Sequence, residues 1–285
     1  MGKLLPIHGD YYLWLYVPNI AAASIFALLF AVMMILLSWR MYKTRSWFCG
    51  YFIAGCLMEF VGYCARAAAA NHTDRIGPYV IQNMFILVAP TLFAATTYMC
   101  LGRLIRLVGG EEYSIVNPRK MTAVFVTGDL ISFMLQGGSA YPSILSQTYP
   151  LWAKITKAMI IGGLAIQVVC FSLFALSAII FHKRIRRYPT ARSCANDVNW
   201  LQSLYMLYCL SLLIFIRSVF RLVEYSLGKT ALSSEWTLYI FDTVPMFLVT
   251  VFFFFRYPGN LASKAKDWEG LELQVGGEPL VAGSK

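Results

Sequence analysis

The 285-residue chain is 59% hydrophobic, only 13% charged, and carries a formal net charge of +10. Soluble domains hold about 25% charged residues, so this composition excludes an ordinary water-soluble fold and predicts an all-α, polytopic membrane protein. The positive balance is not read as a nucleic-acid footprint, because cytoplasmic loops of membrane proteins collect Lys and Arg.

In chain order, residues 1–16 form a mixed N-terminal arm without a cleavable signal peptide. Seven apolar segments follow, at 17–39, 48–69, 78–101, 121–138, 155–181, 200–225 and 237–255, against the roughly 20 residues needed to cross a hydrocarbon core. The fourth is the shortest and weakest, and Gly137-Gly138 is expected to end or bend it. The chain thus divides into the arm, a single seven-helix bundle over 17–257, and a polar tail, 258–285, expected to be disordered.

Basic residues set the orientation. Sixteen Lys and Arg fall in the loops after segments one, three and five and in the tail, against five on the other side. The N-terminus is therefore expected outside and the C-terminus inside. The sequon Asn71-His72-Thr73 falls in a loop on the outer side, so Asn71 is a possible glycosylation site. None of the seven cysteines, Cys49, Cys56, Cys64, Cys100, Cys170, Cys194 and Cys209, lies in a loop placed outside, so no disulfide framework is implied. His8, His72 and His182 all lie outside the apolar spans, which argues against an intramembrane metal site, and no metal or other cofactor is expected.

The chemistry lies in polar residues set into the spans. Arg217, Arg221 and Glu224 stand at i, i+4 and i+7 in segment six, on one stripe of one helix. An unpaired charge at membrane depth costs about 2.5–3.5 kcal/mol or more, so the stripe needs partners. Candidates are Glu59 and Arg66 in segment two, Gln82 in three, Asp129 and Gln136 in four, Gln167 in five and Asp242 in seven. The orientation places most of these from mid-membrane to the outer half. They are expected to line a cavity that opens toward the outer leaflet, its carboxylates meeting a cationic headgroup; buried salt bridges that only fix packing are the competing reading. Pro90 and Pro245 are expected to kink their helices. Gly55, Gly62, Gly162 and Gly163 are expected at close helix contacts, and Trp236 and Tyr239 in an interface belt.

These residues resemble the fungal RTA-like lipid-translocating exporters, a family of seven-span membrane proteins, over nearly all of the spanning region. The resemblance rests on Glu59-x-x-Gly62-Tyr63-x-x-Arg66; on Gln82, Ala89-Pro90, Ala94-Ala95, Tyr98 and Gly102-Arg103; on Asp129, Ser132 and Gln136; and on Gly163-Leu164 with Gln167. Its most specific piece is Ile216-Arg217-x-x-Phe220-Arg221-x-x-Glu224-Tyr225-x-x-Gly228, followed by Glu235, Tyr239, Asp242, Pro245-Met246 and Pro258-Gly259. It implies a non-enzymatic protein of the fungal plasma membrane that exports or translocates sphingoid long-chain bases, confers resistance to toxic amphiphiles or, in some members, handles porphyrin or heme. Membrane lipids are the expected partners, with no nucleic acid. No G-x-x-x-x-G-K-[ST] run is present, so ATP is not the expected energy source.

Two other classes share the topology. A seven-span receptor would show a D/E-R-Y-like run closing segment three, where Gly102-Arg103 stands instead, and a membrane hydrolase would need His ligands in the spans. A lipid-sensing regulator stays open, because a pocket that binds and one that moves its ligand look alike in sequence.

Overall fold

The computed structural model describes residues 18–70, 76–138, 150–190, 200–227 and 235–258. The arm 1–16, the sequon at Asn71 and the tail beyond Pro258 lie outside them. Seven helices make up the described chain: α1 (Ile20–Thr44), α2 (Gly50–Ala69), α3 (Ile76–Leu107), α4 (Pro118–Gly138), α5 (Pro150–Arg187), α6 (Trp200–Leu227) and α7 (Glu235–Phe255). No strand occurs among the described residues. Six of the helices, all but α4, are long and apolar enough to cross a membrane. α4 falls short because Asp129, Gln136 and the glycines Gly128, Gly137 and Gly138 interrupt its apolar run. α5 continues past 181 to Arg187 and takes His182 into its last turns.

The helices pack against their neighbours in sequence, and α3·α6 and α1·α7 contacts close the bundle. α3 is the most enclosed helix, with α2, α4 and α6 around it. Apolar side chains face outward on several helices, Ile25, Leu28 and Ile35 on α1 and Leu173 and Leu176 on α5, as a lipid-facing surface requires. Lipid is as apolar as leucine, so helix association depends on close packing rather than on hydrophobic burial. Aromatic side chains supply part of it: Phe52 of α2 stacks on Phe253 of α7 at 3.9 Å between ring centres and meets Phe93 of α3 at 4.5 Å.

Glycine supplies the rest. A Cβ at Gly55 would lie 2.6 Å from the Phe93 ring, and one at Gly62 2.6 Å from Ile86 Cγ1, so both glycines let α2 approach α3. A Cβ at Gly163 would lie 2.8 Å from the Ser132 carbonyl oxygen, which brings α5 onto α4. Gly162 departs from expectation: nothing lies within 4 Å of its would-be Cβ, and it makes no close contact.

The two intrahelical prolines act locally. Pro90 sits within α3. Pro245 follows a π-helical turn, Tyr239–Thr243, that interrupts α7 and holds Asp242. A proline cannot donate its backbone bond, and π turns accommodate such breaks at sites that carry function.

Candidate functional site

A charged seam runs between α2, α6 and α7. Its centre is Asp242, which the π turn of α7 aims at the stripe on α6. Asp242 Oδ1 lies 2.7 Å from Arg217 Nε, an ion contact off the N–H axis rather than a linear hydrogen bond, and both side chains are 1% exposed. The other oxygen, Oδ2, accepts from Arg221 Nη2, and Arg221 Nη1 donates to Glu224 at 3.1 Å. The i, i+4, i+7 spacing of the sequence therefore delivers all three α6 charges to one network.

Arg217 has a further partner that follows from proline chemistry. Its Nη2 donates to the backbone oxygen of Ile86 on α3 at 2.8 Å. That carbonyl stands four residues before Pro90, and Pro90 has no N–H to return to it. The proline thus leaves an acceptor free within the bundle, and the arginine takes it.

The seam continues on α2. Arg66 Nη2 pairs with Glu235 Oε1 of α7 at 2.9 Å, and Arg66 Nε donates to the Tyr239 hydroxyl at 3.2 Å. Glu235 also accepts from the backbone N–H of Asn19, the N-cap of α1, at 3.0 and 3.2 Å. Between these groups, Tyr63 of α2 and Thr243 of α7 share a hydrogen bond of 2.6 Å.

Glu59 stands apart in its bonding. It is 1% exposed and lies within electrostatic reach of Asp242, Arg217 and Arg221, yet neither carboxyl oxygen has a hydrogen-bond partner among the described residues. Among the described residues the seam thus holds one carboxyl more than its guanidinium groups. It is closed at its centre and more exposed at one end, the side chains of Arg221 and Glu224 being 11% and 22% exposed. Among the described residues the seam expected to line an open cavity is closed at its centre, with a more accessible end at Glu224.

Asp129 and Gln136 do not join it as expected. Asp129 Oδ2 accepts from the Tyr98 hydroxyl at 2.9 Å in a separate cluster between α3, α4 and α5, walled by Phe125, Phe171 and Phe174. Asp129 Oδ1 has no hydrogen-bond partner among the described residues. Gln136 donates to Ser132 Oγ at 2.8 Å, and Ser132 donates to the Gly163 carbonyl at 2.6 Å, a chain that staples α4 to α5. Gln82 on α3 and Gln167 on α5 are buried, and Gln82 Oε1 has no hydrogen-bond partner among the described residues.

The sequence candidates omitted Glu235, Tyr239, Tyr63 and Thr243. A signal for the first two was present: Glu235, Tyr239 and Asp242 are spaced i, i+4, i+7, the spacing of the α6 stripe they help to neutralise. Tyr239 was expected in the interface belt; it is buried instead because Arg66 holds its hydroxyl and Phe26 stacks on its ring at 5.5 Å. Trp236 is exposed, as a belt residue would be.

Comparison with known proteins fits this arrangement. The family model described as "RTA1 like protein" matches residues 52–265, which include every charged residue of the seam. Protein RTM1 of Saccharomyces cerevisiae is 36% identical over 223 residues, 76% of this chain and 70% of that protein. Protoporphyrin uptake protein 1 of the same yeast is 36% identical over 209 residues, 71% of this chain and 66% of its own length. A more distant yeast relative, the sphingoid long-chain base transporter RSB1, is 22% identical over 277 residues, 85% of this chain and 71% of that protein. The chain spans about two thirds of the length of these relatives. No solved structure is a match. The chain is an integral membrane protein and belongs to the RTA1-like protein family.

Proposed function

We propose that this chain translocates amphipathic cationic lipids, sphingoid long-chain bases or molecules of that shape, across the plasma membrane. The observation that carries this reading is Glu59: a buried carboxyl with no hydrogen-bond partner among the described residues, in a seam where those residues supply one carboxyl more than guanidiniums. A protonated amine supplies the missing positive charge and up to three N–H donors. The exposed end at Arg221 and Glu224 gives the headgroup an entry, while the alkyl tail stays among lipid-facing helix surfaces. The name of the sphingoid-base relative supports the same ligand class.

A second reading rests on the relative named for protoporphyrin uptake. A tetrapyrrole carries carboxylates, which would have to compete with Asp242 and Glu224 for Arg221 rather than complement Glu59.

The test is transbilayer movement of a fluorescent sphingoid base in liposomes carrying wild type, Glu59→Gln or no protein, with protoporphyrin followed in parallel. Wild type is expected to accelerate the sphingoid base, and Glu59→Gln, equally well folded, to lose about tenfold or more of that rate, the loss of one charge-assisted contact. Equal rates for the two proteins would remove Glu59 from the path. Movement of protoporphyrin alone would favour the second reading. Binding of the base by folded wild type without movement would make the chain a lipid sensor.

A further inference from the structure

We propose a second ligand site, for a phosphate-bearing anion, in the pocket where α3 ends and α4 begins. The pocket encloses about 280 Å³ and is lined by Met99, Gly102, Arg103, Arg106, Pro118 and Thr122. It holds two guanidinium groups and no acid.

The local sequence builds it. α3 stops because Gly109 adopts a positive φ of 67°, and the N–H groups of Gly109 and Gly110 fold back onto the Arg106 and Ile105 carbonyls at 3.0 Å. The chain then passes through a short turn, Glu111–Tyr113, and returns as α4 at Pro118. A Cβ on Gly102 would lie only 3.1 Å from the Pro118 carbonyl oxygen, so the glycine lets the start of α4 close against α3 and form the pocket wall. Arg103 and Arg106, one turn apart, project from the same side of α3 into it.

The arginines of the seam are each matched by a carboxylate; these two are not. Neither Arg103 nor Arg106 makes an ion pair among the described residues. Arg103 is held by stacking, its guanidinium 3.9 Å from the Phe48 ring centre, which orients the group without using its N–H donors. Arg106 spends only Nε, in a 3.4 Å contact to the Gly102 carbonyl. Glu111 and Glu112, in the turn that follows, do not line the pocket. The positive start of α4 faces the negative end of α3, so the helix fields offset and the two guanidiniums supply the positive potential.

Two preoriented, uncompensated guanidiniums bind a phosphate by paired N–H···O contacts, where a lone lysine would act only as a point charge. The volume takes a phosphate headgroup and leaves an acyl chain outside, at the height where the spanning part of α3 ends. The same chemistry fits the headgroup of an anionic lipid or a free phosphate. A topology signal alone requires basic residues at this end of the bundle but neither a pocket nor a charge-specific ligand.

The experiment uses the purified full chain in neutral detergent. Short-chain phosphatidic acid, short-chain phosphatidylcholine and inorganic phosphate are titrated by calorimetry, with the thermal midpoint of each unliganded protein as the fold control. Saturable binding of phosphatidic acid but not phosphatidylcholine is expected. It should weaken about tenfold or more in Arg103→Gln/Arg106→Gln and stay unchanged in Arg184→Gln, a basic exchange at the same end of the bundle. Inorganic phosphate binding with the same dependence on the variants also upholds the site and makes the free anion its ligand. If the double variant is destabilised, Arg106→Gln alone carries the comparison, since that side chain is exposed. No saturable binding of either phosphate probe, or equal binding by wild type and the variants, overturns the proposal.

Discussion

Asp242 is the residue on which the seam depends, because two buried guanidiniums share its carboxylate. Removing one partner of a buried ion pair strands the other, at a cost of about 3–5 kcal/mol. Asp242→Asn is therefore expected to lower the thermal midpoint of the detergent-solubilised protein sharply. Glu224→Gln, at the more exposed end of the network, should cost about 1 kcal/mol or less and leave the midpoint nearly unchanged. Equal shifts in the two would contradict this ranking. These charges were legible in the sequence because charge inside an apolar span is conspicuous and the helical period gives its face. The grouping was not, since periodicity says which residues share a helix face but not which helix that face meets. Asp129 and Gln136 show this: their i, i+7 spacing is as regular as that of Glu59 and Arg66, yet α4 turns them toward Tyr98 and Gly163 instead of toward the seam.

At the level of single helices, the glycines separate contact from mere tolerance. Gly163→Ala would drive a methyl to 2.8 Å from a backbone oxygen that belongs to the neighbouring helix, so α4 and α5 must move apart. Gly162→Ala meets open space and gains the helix propensity of alanine, about 1 kcal/mol in its favour. The expected result is a lowered unfolding midpoint for the first and an unchanged or raised one for the second, measured side by side. Two adjacent glycines in an apolar helix look identical in sequence; only the position of the neighbouring helix distinguishes them. The same limit applied to the prolines. A break in hydrogen bonding was foreseeable at Pro90 and Pro245, but not that Arg217 would occupy the carbonyl freed by the first, or that a π turn would precede the second.

For the whole molecule, the number of crossings turns on α4. Six helices satisfy the length and apolarity of a span, and α4, with Asp129 in its middle and Gln136 near its end, falls below. α4 packs between α3 and α5, and the seven apolar segments read from the sequence require it to cross. If α4 crosses, single cysteines placed at Glu112 and Lys154, both exposed, will react with an impermeant maleimide from opposite sides of the membrane, in a background with all seven native cysteines replaced by serine or alanine. Labelling of both from one side would mean that α4 does not cross. The π turn of α7 also has a mechanical meaning. It stores one residue more than an α-helix of that length needs. Releasing that slack turns the Glu235 end of α7 by about 100° and shifts it along its axis by about 1.5 Å, while the part beyond Pro245 stays seated. Asp242 lies inside the turn, so the same release would shift its contact with Arg217 together with the latch formed by Arg66, Glu235 and Asn19, and the two fastenings of α7 to its neighbours are mechanically one.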